Sequence, residues 1–270
     1  MRLDELGEFG LLAELERRRL VEGIQDDAAQ VGGLVVTQDA LVEEVHFRFD
    51  LLSWRELGFR AAAVNLSDLA ASGAEPLALV VSLALPRDAE VDDVVALYEG
   101  LNEPGVPVRG GDTSRADGVL LSVTALGRSE RVPGRSGACP GDAVVVSGAL
   151  GAAGAAFRDG RLSRPPLRLA EGRRLAAVAT AMLDLSDGLA PDAGHIAERS
   201  GCRLLIELER VPLAPGATVE DLSFGEDYEL LATTPDPAGF PVIGRVEEGD
   251  GVVITLDGSR LDLSGWDHFR

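Results

Sequence analysis

Residues 56–72 make a long Ala-rich run, halted by Gly73 and Pro76, whose spacing predicts a helix. Within it, in the string Ala-Val-Asn-Leu-Ser-Asp-Leu-Ala, stands Asp68. A carboxylate on an otherwise apolar helix is costly to bury unless it is paired or holds a metal. The fold must therefore pack apolar elements around this helix and bring Asp68 a partner.

The rest of the chain offers those elements. Residues 34–36, 77–85 and 119–126 predict strands, 89–100 a helix, and 106–108 a short apolar lead into Gly110 and Gly111. Between 128 and 142 Gly, Pro, Ser and Arg dominate, which marks a linker. Beyond it, strands are expected at 143–146, 181–185, 204–208, 228–233, 242–246 and 252–256, and helices at 151–158 and 171–180. A further helix is opened by Asp187, runs to Ser200 and ends at Gly201. A chain of 270 residues exceeds the usual size of one hydrophobic core. We expect two domains: an α/β domain over 1–135 and an α+β domain of antiparallel tendency over 136–270.

Charge narrows the chemistry. The chain has 45 acidic and 25 basic residues, a net charge of −20, and every one of those bases is arginine. Without lysine there is no P-loop lysine, no kinase strand lysine and no Schiff base. So acidic a chain also lacks the basic footprint that a nucleic acid requires. If phosphates are handled here, divalent cations must supply much of the compensating charge. The arginine bias in itself reads equally as genomic base composition. Cys139 and Cys202 lie far apart with no histidine cluster nearby, so neither a zinc site nor a disulfide framework is expected. No stretch approaches the roughly 20 apolar residues of a membrane span. Acidic residues come early (Asp4, Glu5, Glu8), unlike a secretory signal, and we expect a soluble cytoplasmic protein.

Asp68 has company. Asp26 and Asp27 follow a Gly-Ile turn, Asp39 ends Val-Thr-Gln-Asp, Asp112 follows Gly110 and Gly111, and Asp184 and Asp187 bracket Leu-Ser. Taken singly, each also reads as a helix cap or turn residue. Taken together, several aspartates converging from separate segments describe a magnesium–nucleotide site, because magnesium takes oxygen ligands and bridges carboxylates to phosphates. The glycine pair would let backbone approach phosphate oxygens, or simply form a turn.

Four strings, in order, carry a resemblance: Asn65-Leu-Ser-Asp-Leu-Ala-Ala-Ser-Gly-Ala-Glu-Pro, Gly110-Gly-Asp-Thr, Asp184-Leu-Ser-Asp-Gly-Leu and Gly225-Glu-Asp-Tyr-Glu-Leu. With the terminal Gly265-Trp-Asp-His-Phe, the chain resembles thiamine-monophosphate kinases over nearly its whole length. The first three strings have relatives among aminoimidazole ribonucleotide and selenophosphate synthetases; the last two point to the thiamine enzymes. The resemblance implies ATP-dependent phosphorylation of thiamine monophosphate by direct in-line transfer, and a homodimer that pairs its N-terminal sheets. It further implies that Asp27, Thr37, Asp39, Asp68, Asp112, Asp184 and Asp187 hold several magnesium ions, with Gln38 offering a further oxygen. Gly111, Arg135 and Ser186 would contact ATP, and His46, Glu226 and Trp266 the substrate. On residues alone, Arg135 also reads as a linker arginine, Trp266 as a C-terminal core plug and His46 as a strand-end histidine.

The chain departs from the family pattern at Gln25 and Phe224, where glycine is usual, and at Gln38, where threonine is common. The stretches 208–223 and 235–242 are short. Two other functions stay open from the sequence: another ATP-dependent synthetase of the same superfamily, and a non-catalytic nucleotide-binding homologue. Selenophosphate synthesis is disfavoured, since no cysteine lies near the N-terminal aspartates.

Overall fold

In the computed structural model, which describes residues 2–265, helix α1 (Leu3–Arg17) leads into strands β1 (Ala29–Val31) and β2 (Leu34–Val42). Helix α2 (Trp54–Ala71), strand β3 (Glu75–Leu85), helix α3 (Val91–Asn102), and strands β4 (Val108–Arg115) and β5 (Leu120–Arg128) follow. Among the described residues these strands form one sheet in the order β1-β2-β5-β3-β4, antiparallel except for the β3–β4 pair that α3 connects.

The Ala-rich run is α2. Its start is fixed by a capping box: the Ser53 amide donates to Glu56 Oε2 at 2.7 Å and Ser53 Oγ accepts from the Glu56 amide at 3.3 Å. Leu57, Leu66 and Leu69 are fully buried on it, each stabilising by about 1.5–3 kcal/mol. Leu66→Ala alone would cost about 2–5 kcal/mol. Helix α3 crosses α2 at a glycine contact, where a Cβ on Gly58 would lie 1.9 Å from the Leu97 carbonyl oxygen and one on Gly100 2.0 Å from that of Arg55. No larger residue permits that approach.

The second half holds β6 (Ala143–Val146), helices α4 (Ala152–Arg158) and α5 (Leu169–Ala176), β7 (Ala181–Asp184), α6 (Leu189–Ser200), β8 (Arg203–Glu207), β9 (Leu230–Thr234), β10 (Val242–Glu247), β11 (Gly251–Leu256) and β12 (Ser259–Leu261). Among the described residues its sheet runs β12-β11-β8-β10-β6-β9-β7, parallel only at β11–β8. The end of α2 joins the halves, as Ala70 and Ala71 are buried with Val145, Leu175, Met182 and Leu230. That explains why α2 is apolar nearly all round: it packs against α3, β2 and β5 of the first half and against α5 and β7 of the second. No helix among the described residues is long and apolar enough to cross a membrane.

Four expectations need correction. Strand β2 continues past residue 36 to Val42, because Thr37 to Val42 pair with Ala125 to Leu120 of β5. Gly110 and Gly111 lie inside β4 rather than in a turn. A Cβ on Gly111 would sit 1.7 Å from the Val81 carbonyl oxygen, so glycine serves the β3–β4 approach. Helix α6 begins at Leu189, beyond Gly188, not at Asp187. Helix α1 and strand β12 were not expected; α1 shows no clear apolar stripe and β12 has three exposed residues.

Candidate active site

Strand β2 alternates at the decisive point. Thr37 Oγ1 donates to Asp68 Oδ2 on α2, whereas the next side chain, Gln38, accepts through Oε1 from Thr124 Oγ1 of β5 at 3.0 Å. Asn65, one turn before Asp68, locks strand to helix: its Oδ1 accepts from the Asp39 amide at 3.1 Å and its Nδ2 donates to the Ala61 carbonyl at 2.9 Å. Ser67 Oγ donates to Asp184 Oδ2 at 2.5 Å, across to the end of β7. From the loop before β1 comes Asp27, whose Oδ1 accepts from Arg135 Nε at 3.0 Å and Nη2 at 2.5 Å. The Arg135 amide donates to Asp26 Oδ1 at 2.7 Å, so the linker is held to this loop.

The result is a trio in which one carboxylate oxygen each of Asp27, Asp68 and Asp184 lies within 4.8 Å of the others. Burial pushes all of these carboxyls up. Asp184 rises to about 8 through burial and then Asp27, with Ser67 opposing, and Asp39 rises to about 6 through burial and then Asp27. Asp68 rises well above the usual range through burial and then its carboxylate neighbours. Asp27 rises by burial, against the pull of Arg135. Among the described residues Arg135 is the one guanidinium lining this cleft, and it cannot balance so much negative charge. Hard oxygen donors at this spacing fit divalent magnesium.

Beside the trio, Asp187, Asp192 and His195 also bring ligand atoms within 4.8 Å of one another. Asp192 Oδ2 accepts from the Asp187 and Gly188 amides, both at 3.1 Å, which caps the start of α6. Burial, then Arg135 and Arg199, lowers His195 to about 4, so its ring is neutral at neutral pH.

The segment 225–228 is strained. Gly225, Glu226 and Tyr228 have φ of 82°, 57° and 51°, and each left-handed non-glycine residue costs about 1–3 kcal/mol. The surroundings hold it there: the Glu226 amide donates to the Ser186 carbonyl at 2.8 Å and the Tyr228 amide to the Leu185 carbonyl at 2.9 Å. From α2, buried Arg60 places Nη2 2.7 Å from Glu226 Oε2 and donates through Nη1 to the Ser163 carbonyl at 2.9 Å. Asp227 faces away, accepting from the Gly151 and Ala153 amides at 2.7 and 3.2 Å and so capping α4. His46 Nδ1 accepts from the Val42 amide at 3.0 Å, which in the neutral ring leaves the proton on Nε2.

One cleft of about 750 Å3 is lined by Asp27, Thr37, Asp39, Asp68, Asp184, Asp187, Arg135, Ser186, His46 and Glu226. Gln38 borders it as well, but its side chain is engaged with Thr124. A larger groove of about 890 Å3 against α3 is mainly apolar and, among the described residues, has Glu99 as its one carboxylate, so the clustered aspartates belong to the smaller space. Gly111 and Asp112 do not line the cleft. They are exposed on β4, three strands from β2, which at about 4.8 Å per strand is roughly 14 Å. Trp266 lies outside the described residues. Sequence reasoning missed Ser67, His195, Arg60 and Tyr228; Ser67 could have been found by its place beside Asp68, but nothing local marks Arg60.

Comparison with known proteins fits this geometry. Residues 25–129 match the family described as AIR synthase related protein, N-terminal domain. The thiamine-monophosphate kinase of Aquifex aeolicus (strain VF5) is 36% identical over 100% of both chains. That of Escherichia coli (strain K12) is 34% identical over 97% of this chain and 98% of its own. The solved structure of AaThiL complexed with AMPPCP and TMP superposes with a TM-score of 0.90 at 35% identity, covering 99% of each chain. The chain belongs to the thiamine-monophosphate kinase family.

Proposed function

We propose that this kinase transfers the γ-phosphoryl group of ATP to the phosphate of thiamine monophosphate, giving thiamine diphosphate and ADP. The observation that carries this proposal is the convergence of Asp27, Asp68 and Asp184 with Arg135, His46 and Glu226 in one cleft, in a chain whose relative was solved with AMPPCP and TMP. Several magnesium ions would be held by Asp27, Thr37, Asp39, Asp68, Asp184 and Asp187, supplying positive charge where two anionic phosphates meet. That repulsion is substantial, about 4 kcal/mol for two unit charges 4 Å apart at an effective dielectric of 20.

The transfer is in line: the bond from the γ-phosphorus to the β,γ-bridging oxygen breaks as one forms to an oxygen of the acceptor phosphate, and ADP leaves with the electron pair. The acceptor is already largely ionised at neutral pH, so no residue is assigned as a general base. Ser186 and Arg135 contact ATP, the guanidinium holding Asp27 through Nε and Nη2 and offering its remaining donors to phosphate oxygens. Glu226 and His46 face the thiamine, where a carboxylate suits the cationic thiazolium; Trp266 would add an indole face.

The chain divides into domains near residue 135, and two chains form a homodimer through their N-terminal sheets, joined at the free edge of β4. Supporting this is the exposure of Gly111 and Asp112 on that edge, too far along the sheet to serve the cleft of their own chain. In the dimer they would serve the partner's. Chromatography of the purified chain incubated with ATP, magnesium and thiamine monophosphate tests the activity. Thiamine diphosphate should appear in the complete mixture and in none lacking a component; its absence there refutes the assignment.

A further inference from the structure

Phe224 follows the 3-10 turn Val219–Ser223, and its ring stacks on that of Phe157 near the end of α4, with centroids 4.9 Å apart and planes 30° apart. Both rings line the cleft that holds the carboxylates. Neither belongs to the hydrophobic clusters of the interior, and Phe157 is 51% exposed. The pair is therefore not core packing, and it leaves an aromatic face open to the cleft.

That face is held rigidly. Asp227 caps the start of α4 through the Gly151 and Ala153 amides, and Arg158 Nη1 donates to Asp221 Oδ2 at 2.5 Å at its other end. Between them Gly154 packs so closely that a Cβ would lie 2.8 Å from Asp221. Helix and turn thus move as one, and the rings keep a fixed relation to Glu226, two residues from Phe224. A rigid aromatic face selects a flat, positively charged ring through its π electrons, and Glu226 beside it is held in place by its pair with Arg60.

We propose that Phe157 and Phe224 form the wall on which the thiazolium ring of thiamine monophosphate packs, which makes them specificity-determining residues; this rests on the phosphotransfer function proposed above. The test is steady-state kinetics on the full chain, varying thiamine monophosphate and ATP separately, for wild type, Phe224→Leu, Phe157→Ala and Phe224→Tyr. Leucine keeps bulk and removes the π face. The KM for thiamine monophosphate should rise about tenfold in the Leu and Ala variants while that for ATP moves less than about twofold, and Phe224→Tyr should restore the wild-type value. An unchanged KM for thiamine monophosphate in both variants, with wild-type turnover present, overturns the wall. So does a rise confined to ATP, which would assign the rings to the purine, or a parallel rise of both values, which would mean a loosened α4. A wild-type chain that makes no thiamine diphosphate overturns the phosphotransfer function and the wall with it.

Discussion

Asp184 and Asp112 carry nearly the same signature in sequence, a carboxylate set after apolar and small residues, yet they end in opposite settings. Asp184 closes β7, a strand buried at every position, and its carboxylate sits with Asp27 and Asp68 beside α2. Asp112 lies within β4, exposed from Arg109 to Arg115 at the open edge of its sheet. The difference is not local. It comes from sheet order, which places β7 against α2 and leaves β4 three strands from β2. Asp112 thus stands apart from the trio of its own chain, and under the dimer proposed above it would serve the partner's cleft.

The largest effect that could break this contrast is in the carboxylate trio. Asp68→Asn should lower transfer by about a thousandfold, while the melting temperature in chelator is retained, since the amide matches the shape of the neutral carboxyl that burial favours. Near-normal turnover would remove the trio from the chemistry.

Asp112→Asn should also be nearly inactive, and co-expression separates the two roles. In a one-to-one mixture of Asp68→Asn and Asp112→Asn chains, half of the dimers are mixed, and each of those regains one intact site if Asp112 serves the partner. Activity should then recover to about a quarter of wild type. No recovery would place Asp112 in the cleft of its own chain.

Smaller is the pH response of the metal-free protein. Asp39 at about 6 and Asp184 at about 8 bind protons more tightly folded than unfolded, where the value is near 3.8. Their stabilisation is full below the unfolded value and is lost as pH rises through about 6 to 8. In chelator the melting temperature should fall by several degrees from about pH 5 to about pH 9. Magnesium should restore it most at the alkaline end, and Asp184→Asn should flatten the slope. A melting temperature that rises with pH in chelator would contradict the buried-carboxylate account.

The smallest effect concerns Gln38. With its side chain bonded to Thr124, Gln38→Ala should change turnover less than about twofold and cost about 0.5–1.5 kcal/mol of stability. A large loss of magnesium affinity would restore Gln38 as a ligand.

These contrasts show what the sequence could reveal. Helix α2 was legible to within two residues, because an Ala-rich run bounded by Gly and Pro is a strong local signal. Asp27, Asp39, Asp68, Asp184 and Asp187 were legible as candidates because a carboxylate in an apolar string is anomalous wherever it ends up. What stayed hidden depends on neighbours distant in sequence. The orientation of Gln38 follows from β2 extending past residue 36, and the place of Gly111 from its contact with the Val81 carbonyl. Arg60, on α2, meets Glu226 166 positions later, and no local pattern encodes such a pairing. Phe224 reads in the sequence only as bulk in a glycine's place; its stacking on Phe157 required the packing of α4 on Asp221.

Phosphorus NMR of the running reaction bears most directly on the assigned chemistry. With ATP, magnesium and thiamine monophosphate, the wild-type chain should produce ADP and thiamine diphosphate in equal amounts, with no free phosphate accumulating. ADP accompanied by inorganic phosphate, with thiamine monophosphate unconsumed, would contradict direct transfer in this cleft.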